Sequence, residues 1–203
     1  MDAIKNNLNE IYTIGHSNHS GEKFLHLLSL YHIEGVVDVR SQPYSQYANH
    51  FNKESVDKLL SQANIKYIFL GDRLGGRPDK DEHYNNKGQV DYQEIAGLQN
   101  FQDGISSLLK ALQNYRLALM CGEEDPSRCH RRLLVGKVLT GQGVRIRHIR
   151  GDGRLQSEEE LTAEENYQKN KGQMSLFPQE EAEEWKSTRS VSPKKVRRNS
   201  SKP

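Results

Sequence analysis

At 203 residues the chain has room for one ordinary domain with material to spare, and an apolar fraction of 34% leaves part of it outside any core. A net charge of +2 by itself implies no nucleic-acid partner, and no apolar run approaches the roughly 20 residues of a membrane span. Two cysteines, with neither a basic nor an apolar leader at the N-terminus, predict a reduced, cytoplasmic protein rather than a disulfide scaffold.

Ile11-Tyr12-Thr13-Ile14-Gly15 reads as a first strand ending in His16-Ser17-Asn18. Ser20 is placed to cap a helix carrying Phe24, Leu25, Leu27, Leu28 and Leu30. Gly35 breaks the chain before a second strand, Val36-Val37-Asp38-Val39, which ends in Arg40. After a polar loop with Pro43, Tyr44, Ser45 and Tyr47, a second helix sets Val56, Leu59, Leu60 and Ala63 at helical spacing. Lys66-Tyr67-Ile68-Phe69-Leu70 is the third strand. The Gly/Asp-rich loop that follows, from Gly71 to about Asp91, is long enough to expect a lid or binding element. The next helix places Phe101, Ile105, Leu108, Leu109 and Leu112 on one face.

The fourth strand, Leu117-Ala118-Leu119-Met120, opens the densest stretch of chemistry in the chain. It runs into Cys121 and Gly122, then an acidic turn, Glu123-Glu124-Asp125, then Pro126-Ser127-Arg128-Cys129-His130-Arg131-Arg132. Asp125-Pro126 or Ser127 can cap a helix through Leu133, Leu134, Val138 and Leu139 that ends at Gly141. The segment from Val144 to Ile149 alternates and reads as a closing edge strand. Strand and helix thus alternate four times before a fifth strand. That predicts an α/β fold, a three-layer, mostly parallel sheet of about five strands with helices on both faces. The predicted division is an N-terminal extension over 1–10, the α/β domain over 11–155, and an acidic, then basic, largely disordered tail over 156–203, with a helix as one reading of its acidic start, Glu158 to Glu165.

Four pieces together resemble domain-of-unknown-function (DUF) family 488 over about residues 11–150. They are Thr13-Ile14-Gly15-His16-Ser17, Asp38-Val39-Arg40 with Pro43 and Ser45, Leu74-Gly75-Gly76-Arg77, and Cys121 to Arg131 with Glu123 and Cys129-His130-Arg131. The resemblance implies an α/β fold with marked polar residues at the ends of strands one, two and four. It implies no particular chemistry.

In a parallel sheet, ligands bind at the carboxyl ends of the strands, so the strand-end residues are the expected site. His16, Ser17, Arg40 and Arg131 converge on one rim if their strands are neighbours. Such a set suits phosphate, because Arg is a bidentate donor and a helix start adds N–H groups. The competing role for Arg40 is an ion pair with Asp38 or Glu123. His16, Ser17, Glu123, Cys129 and His130 are the groups available for catalysis. An imidazole or carboxylate can move protons, a hydroxyl can position substrate, and a helix start can lower a thiol pKa. Cys121 reads instead as a small buried hydrophobe. A metal on Cys121, Cys129 and His130, with His16 as fourth ligand, fits neither C-x-x-C nor H-x-x-x-H spacing, so no metal is assigned and the cofactor stays open. Gly75 and Gly76 carry no nucleotide-binding glycine pattern. They shape either a plain turn or a loop pressed close to a ligand with Arg77 pointing inward. Tyr44 and Tyr47 are placed either to stack on bases or to pack.

In the tail, Gln173-Met174-Ser175-Leu176-Phe177 resembles the short peptide by which many bacterial replication and repair proteins attach to the DNA sliding clamp, with Gln173, Leu176 and Phe177 as anchors. A solvated linker is the competing reading. Lys194-Lys195-Val196-Arg197-Arg198 adds salt-sensitive attraction to phosphate or simply solubilises the tail. The resulting expectation is a nucleic-acid- or nucleotide-processing protein, DNA-repair-associated and recruited to the clamp, working by hydrolysis or group transfer at a phosphate or glycosidic bond. A non-catalytic nucleotide- or anion-sensing module is the alternative, and a thiol-dependent small-molecule enzyme is a third reading.

Overall fold

In the computed structural model, which describes residues 9–170, 184–191 and 193, six strands form one sheet. β1 (Glu10–Gly15) leads through α1 (Gly21–Ser29) to β2 (Gly35–Asp38), and β2 leads through α2 (Lys53–Gln62) to β3 (Lys66–Phe69). α3 (Gly71–Leu74), α4 (Tyr92–Gly97) and α5 (Gln99–Leu112) precede β4 (Leu117–Cys121). A π-helical turn (Arg131–Gly136) runs into α6 (Lys137–Gly141) and on to β5 (Arg145–Ile149), β6 (Leu155–Ser157) and α7 (Glu158–Asn170). The strand order is β3-β2-β4-β1-β5-β6, parallel except for β6, which pairs antiparallel with β5.

Helices cover both faces of the central strands, which is why those strands are apolar on successive residues rather than on alternate ones. Phe24 and Leu28 of α1, with Val56 and Leu60 of α2, pack on Tyr12, Ile14, Val36 and Met120. On the opposite face Leu74, Ile105, Leu108, Leu134 and Leu139 cover Ile11, Val37, Leu117 and Leu119. The chain leaves β1 towards β2 on one side and leaves β4 towards β5 on the other. β1 and β4 are neighbours, with Gly15 opposite Cys121, so their carboxyl ends form the topological switch point where a crevice opens.

Two expectations change. The segment after Val144 is not the edge of the sheet. Arg150 N–H donates to the Arg154 carbonyl at 2.9 Å and Gly153 takes φ +92°, a turn that folds the chain back so that β6 adds outside β5. Nor does the region from residue 156 begin as a solvated tail. Arg132 is held by Glu158 (2.7 Å) and Glu165 (2.9 Å), His148 Nε2 donates to Glu158 at 3.0 Å, and Leu161 is buried. The acidic stretch is one face of a docked helix. Residues 184–191 also lie back on the domain. Trp185 Nε1 donates to the Leu133 carbonyl (2.6 Å), Tyr92 N–H to Trp185 (2.9 Å), Ser187 N–H to Val90 (2.9 Å) and Val191 N–H to Gly88 (2.9 Å). Among the described residues no helix is long and apolar enough to cross a membrane.

Candidate functional site

A cavity of about 500 Å³ opens at the carboxyl ends of β1, β2 and β4. β1 supplies His16, β2 supplies Arg40, and β4 supplies Cys121 and Gly122; Gly76, Arg77, Tyr92, Glu123, Arg128, Cys129, His130 and residues 187–191 complete much of its wall. A larger groove of about 1010 Å³ beside α6 and α7 is lined by Arg132 and its partners Glu158 and Glu165. Those charges satisfy one another, and no thiol or imidazole lines that groove, so the smaller space is the candidate site.

Asp38 is fully buried at the end of β2 and organises one side of the cavity. Its carboxylate accepts from Arg40 Nε (2.9 Å) and Nη2 (2.6 Å), from the Arg40 backbone N–H (3.0 Å) and from the Tyr67 hydroxyl (2.8 Å). The remaining Arg40 Nη1 donates to His16 Nε2 at 3.0 Å. The proton position on His16 follows from its other contact. Nδ1 lies 2.9 Å from the Ser17 carbonyl, which can only accept, so Nδ1 carries the proton and Nε2 the lone pair. The ring stacks on Phe51 with centroids 4.4 Å apart. Burial, and then the charge of Arg40, push the His16 pKa down to about 4. His16 is therefore neutral near pH 7 and its lone pair is committed to Arg40; it positions the guanidinium rather than moving protons.

His130 is oriented the other way. Its Nε2–H donates to the Val39 carbonyl at 2.8 Å, which leaves the Nδ1 lone pair facing Cys121 Sγ at 3.8 Å and Cys129 Sγ at 4.0 Å. These three atoms lie within 4.8 Å of one another. The local chain explains how cysteines eight positions apart meet. Asp125 accepts the Ser127 N–H (2.9 Å) and hydroxyl (2.7 Å), capping a 3₁₀ turn, Pro126–Arg128, that returns Cys129 to Cys121. The glycine pair after α3 has a comparable role. A Cβ at Gly76 would lie 2.5 Å from His130 Cγ, and one at Gly75 would lie 2.3 Å from Ser41 Oγ, so this loop presses on the imidazole in a way only glycine permits. The Cys121 pKa is raised, by its hydrogen bond to Cys129 and by burial. Burial also opposes ionisation of Cys129, but the Cys121 hydrogen bond and the Arg131 charge outweigh it and hold Cys129 well below the ordinary thiol value.

Other expected site residues are placed differently. Arg131 is 1% exposed and does not line the cavity. Its Nε donates to Thr13 Oγ1 (3.3 Å), Nη1 to the Glu123 carbonyl and Nη2 to the Glu124 carbonyl (2.7 Å), so it holds the acidic turn onto β1. Ser17 takes φ +45°, and its hydroxyl faces Asn18 (3.4 Å) outside the cavity lining. Tyr44 lines the cavity with its hydroxyl donating to Glu54 (2.7 Å), whereas Tyr47 is 99% exposed and outside it. Glu123 pairs with Arg189 at 3.1 Å, both half-exposed. Arg77 and Arg128 are exposed on the cavity wall and make no ion pair among the described residues. Sequence reasoning missed Arg128, Tyr92 and residues 187–191. Gln173, Leu176 and Phe177, and the basic run 194–198, lie outside the described residues.

Fold and site together define an α/β domain with a thiol-, imidazole- and guanidinium-lined crevice at its switch point. The family model described as "Domain of unknown function DUF488" matches residues 20–138, more than half of the chain, and the chain belongs to that family. The match includes β2, β4 and the Cys121–Cys129–His130 cluster, while β1 with His16 and the elements from β5 onward fall outside it. No curated protein and no solved structure matches the chain.

Proposed function

We propose that the cavity is the active centre of an enzyme that processes a nucleotide or nucleic acid by hydrolysis or group transfer at a phosphate or glycosidic bond. The supporting observation is the imbalance of charge on its wall. Of the four arginines on the wall, Arg40 is paired with Asp38 and Arg189 with Glu123, while Arg77 and Arg128 have no ion-pair partner among the described residues. A guanidinium fits phosphate bidentately, and a concave positive surface concentrates anions. In this reading Arg77 and Arg128 hold phosphate. Glu123 takes or gives the proton, its exposed pairing with Arg189 being exchangeable for substrate.

The test is a screen of nucleoside mono- and triphosphates and of single-stranded and duplex oligonucleotides, for binding and for product. Glu123→Gln is expected to retain binding and lose turnover. Binding without any turnover in the wild-type protein would make the domain a nucleotide or anion sensor, and no binding at all would overturn the reading. Recruitment to a bacterial sliding clamp through Gln173, Leu176 and Phe177 is a separate part of the proposal, drawn from the sequence. A clamp titration is expected to show saturable binding that is lost when all three are changed to Ala; absence of binding would reduce the segment to a linker.

A further inference from the structure

We propose that Cys121, Cys129 and His130 form a site for one divalent metal ion of the zinc class, with its fourth coordination position open to the cavity. Two thiolates and a neutral imidazole are donors that select zinc-like ions over magnesium or calcium. Tetrahedral coordination with Zn–S of about 2.3 Å and Zn–N of about 2.0–2.1 Å sets nitrogen about 3.6 Å from each sulfur. The observed Nδ1 to Sγ separations are 3.8 and 4.0 Å, a few tenths of an ångström from that figure, with all three donors within 4.8 Å. As S–H···N contacts the same separations are weak, because a thiol is a poor donor.

The imidazole is already set as a ligand. Donation from Nε2–H to the Val39 carbonyl (2.8 Å) fixes Nδ1 as the lone-pair nitrogen and aims it at both sulfurs. A carbonyl on the far ring nitrogen is the usual support of a metal-bound histidine. Gly76 packs against the ring and holds its angle. No fourth protein ligand is offered by His16, whose Nε2 accepts from Arg40 at 3.0 Å. Three protein ligands with one exchangeable position is the arrangement of catalytic rather than structural zinc. The open position faces the cavity that carries Arg77 and Arg128, which suits a water, hydroxide or oxyanion as fourth ligand. The assignment rests on the three donors and stands whether or not the ligand is a nucleotide.

The test uses the full chain, reduced with a thiol-free reductant, stripped of metal and titrated with Co²⁺. Saturation at one cobalt per chain is expected, with a near-ultraviolet thiolate-to-cobalt band and the intense visible bands of tetrahedral cobalt, both displaced by Zn²⁺. Cys121→Ser and Cys129→Ser are each expected to weaken cobalt binding and the thiolate band, and His130→Ala to weaken binding, with circular dichroism reporting whether each variant is folded. A test on the wild-type protein needs no variant. Zn²⁺ is expected to slow alkylation of both thiols by iodoacetamide, and a chelator to restore it. A weak octahedral spectrum without a thiolate band, or thiols that are alkylated in the metal-free protein at a rate indifferent to zinc, overturns the site. Inorganic phosphate is expected to shift the visible cobalt bands; bands that do not move overturn the open fourth position.

Discussion

Arg40 and Arg131 are 8% and 1% exposed, one at the end of β2 and the other just after the 3₁₀ turn that follows β4, while Arg77 and Arg128 stand exposed on the wall of the crevice between them. The first pair has its donors taken up by the fold: Asp38 and His16 for Arg40, Thr13 and two backbone carbonyls for Arg131. A guanidinium removed from water must have such acceptors, because an unpaired buried charge costs several kcal/mol. The second pair remains in water and is free to meet a ligand. The difference separates residues that build the site from residues that use it. Buried strand-end arginines fix the geometry of the crevice, and exposed ones are the groups to which the proposed function assigns the anion.

The largest way to test that division is Arg131→Ala. It strands the Glu123 and Glu124 carbonyls and the Thr13 hydroxyl and leaves a void. A loss of about 3–5 kcal/mol in urea unfolding is expected, and a loss under about 1 kcal/mol would erase the distinction between the two pairs. Asp38→Asn removes the counter-charge of buried Arg40 and is expected to cost about 3 kcal/mol by the same measurement. The next effect is a pH dependence. Folding holds His16 neutral, with its pKa down at about 4, against about 6.5 in the unfolded chain. Between those values only the unfolded chain binds the proton. Stability is therefore complete above about pH 6.5 and falls towards pH 4, by up to about 3 kcal/mol. His148, pushed down chiefly by burial, adds to the same slope. His16→Gln is expected to flatten the curve across this window; an unchanged slope would refute the account of His16. At the small end, Arg77→Ala and Arg128→Ala are each expected to change stability by no more than about 0.5 kcal/mol.

β1 to β5 are legible in the sequence because buried parallel strands are apolar runs bounded by glycines and polar residues, and each falls within one residue of its expected limits. The strand ends are equally legible, which is how His16, Arg40 and the Cys129-His130 dipeptide are found. Their partners are not. Whether Arg128 or Arg131 faces the cavity depends on a 3₁₀ turn followed by a π-helical turn, and no composition rule distinguishes arginines three positions apart. The two thiols can be grouped in the sequence, but their eight-residue spacing matches no short ligand motif, and only the Asp125-capped turn brings them together. α7 and residues 184–191 are polar segments held by distant partners, such as Arg132 with Glu165 and Trp185 with Leu133, and no local periodicity records a contact of that range.

The most direct measurement is a titration with a fluorescent nucleotide and a short single-stranded oligonucleotide at low salt. It compares the wild-type chain with an Arg77→Ala/Arg128→Ala double variant and follows thermal unfolding of both. Losing charge-assisted contacts to phosphate is expected to weaken binding at least about tenfold, equivalent to about 1.4 kcal/mol, with the midpoint of thermal unfolding unchanged. Equal affinity in the two proteins would contradict the assignment of the exposed arginines, and with it the proposal that the crevice binds phosphate.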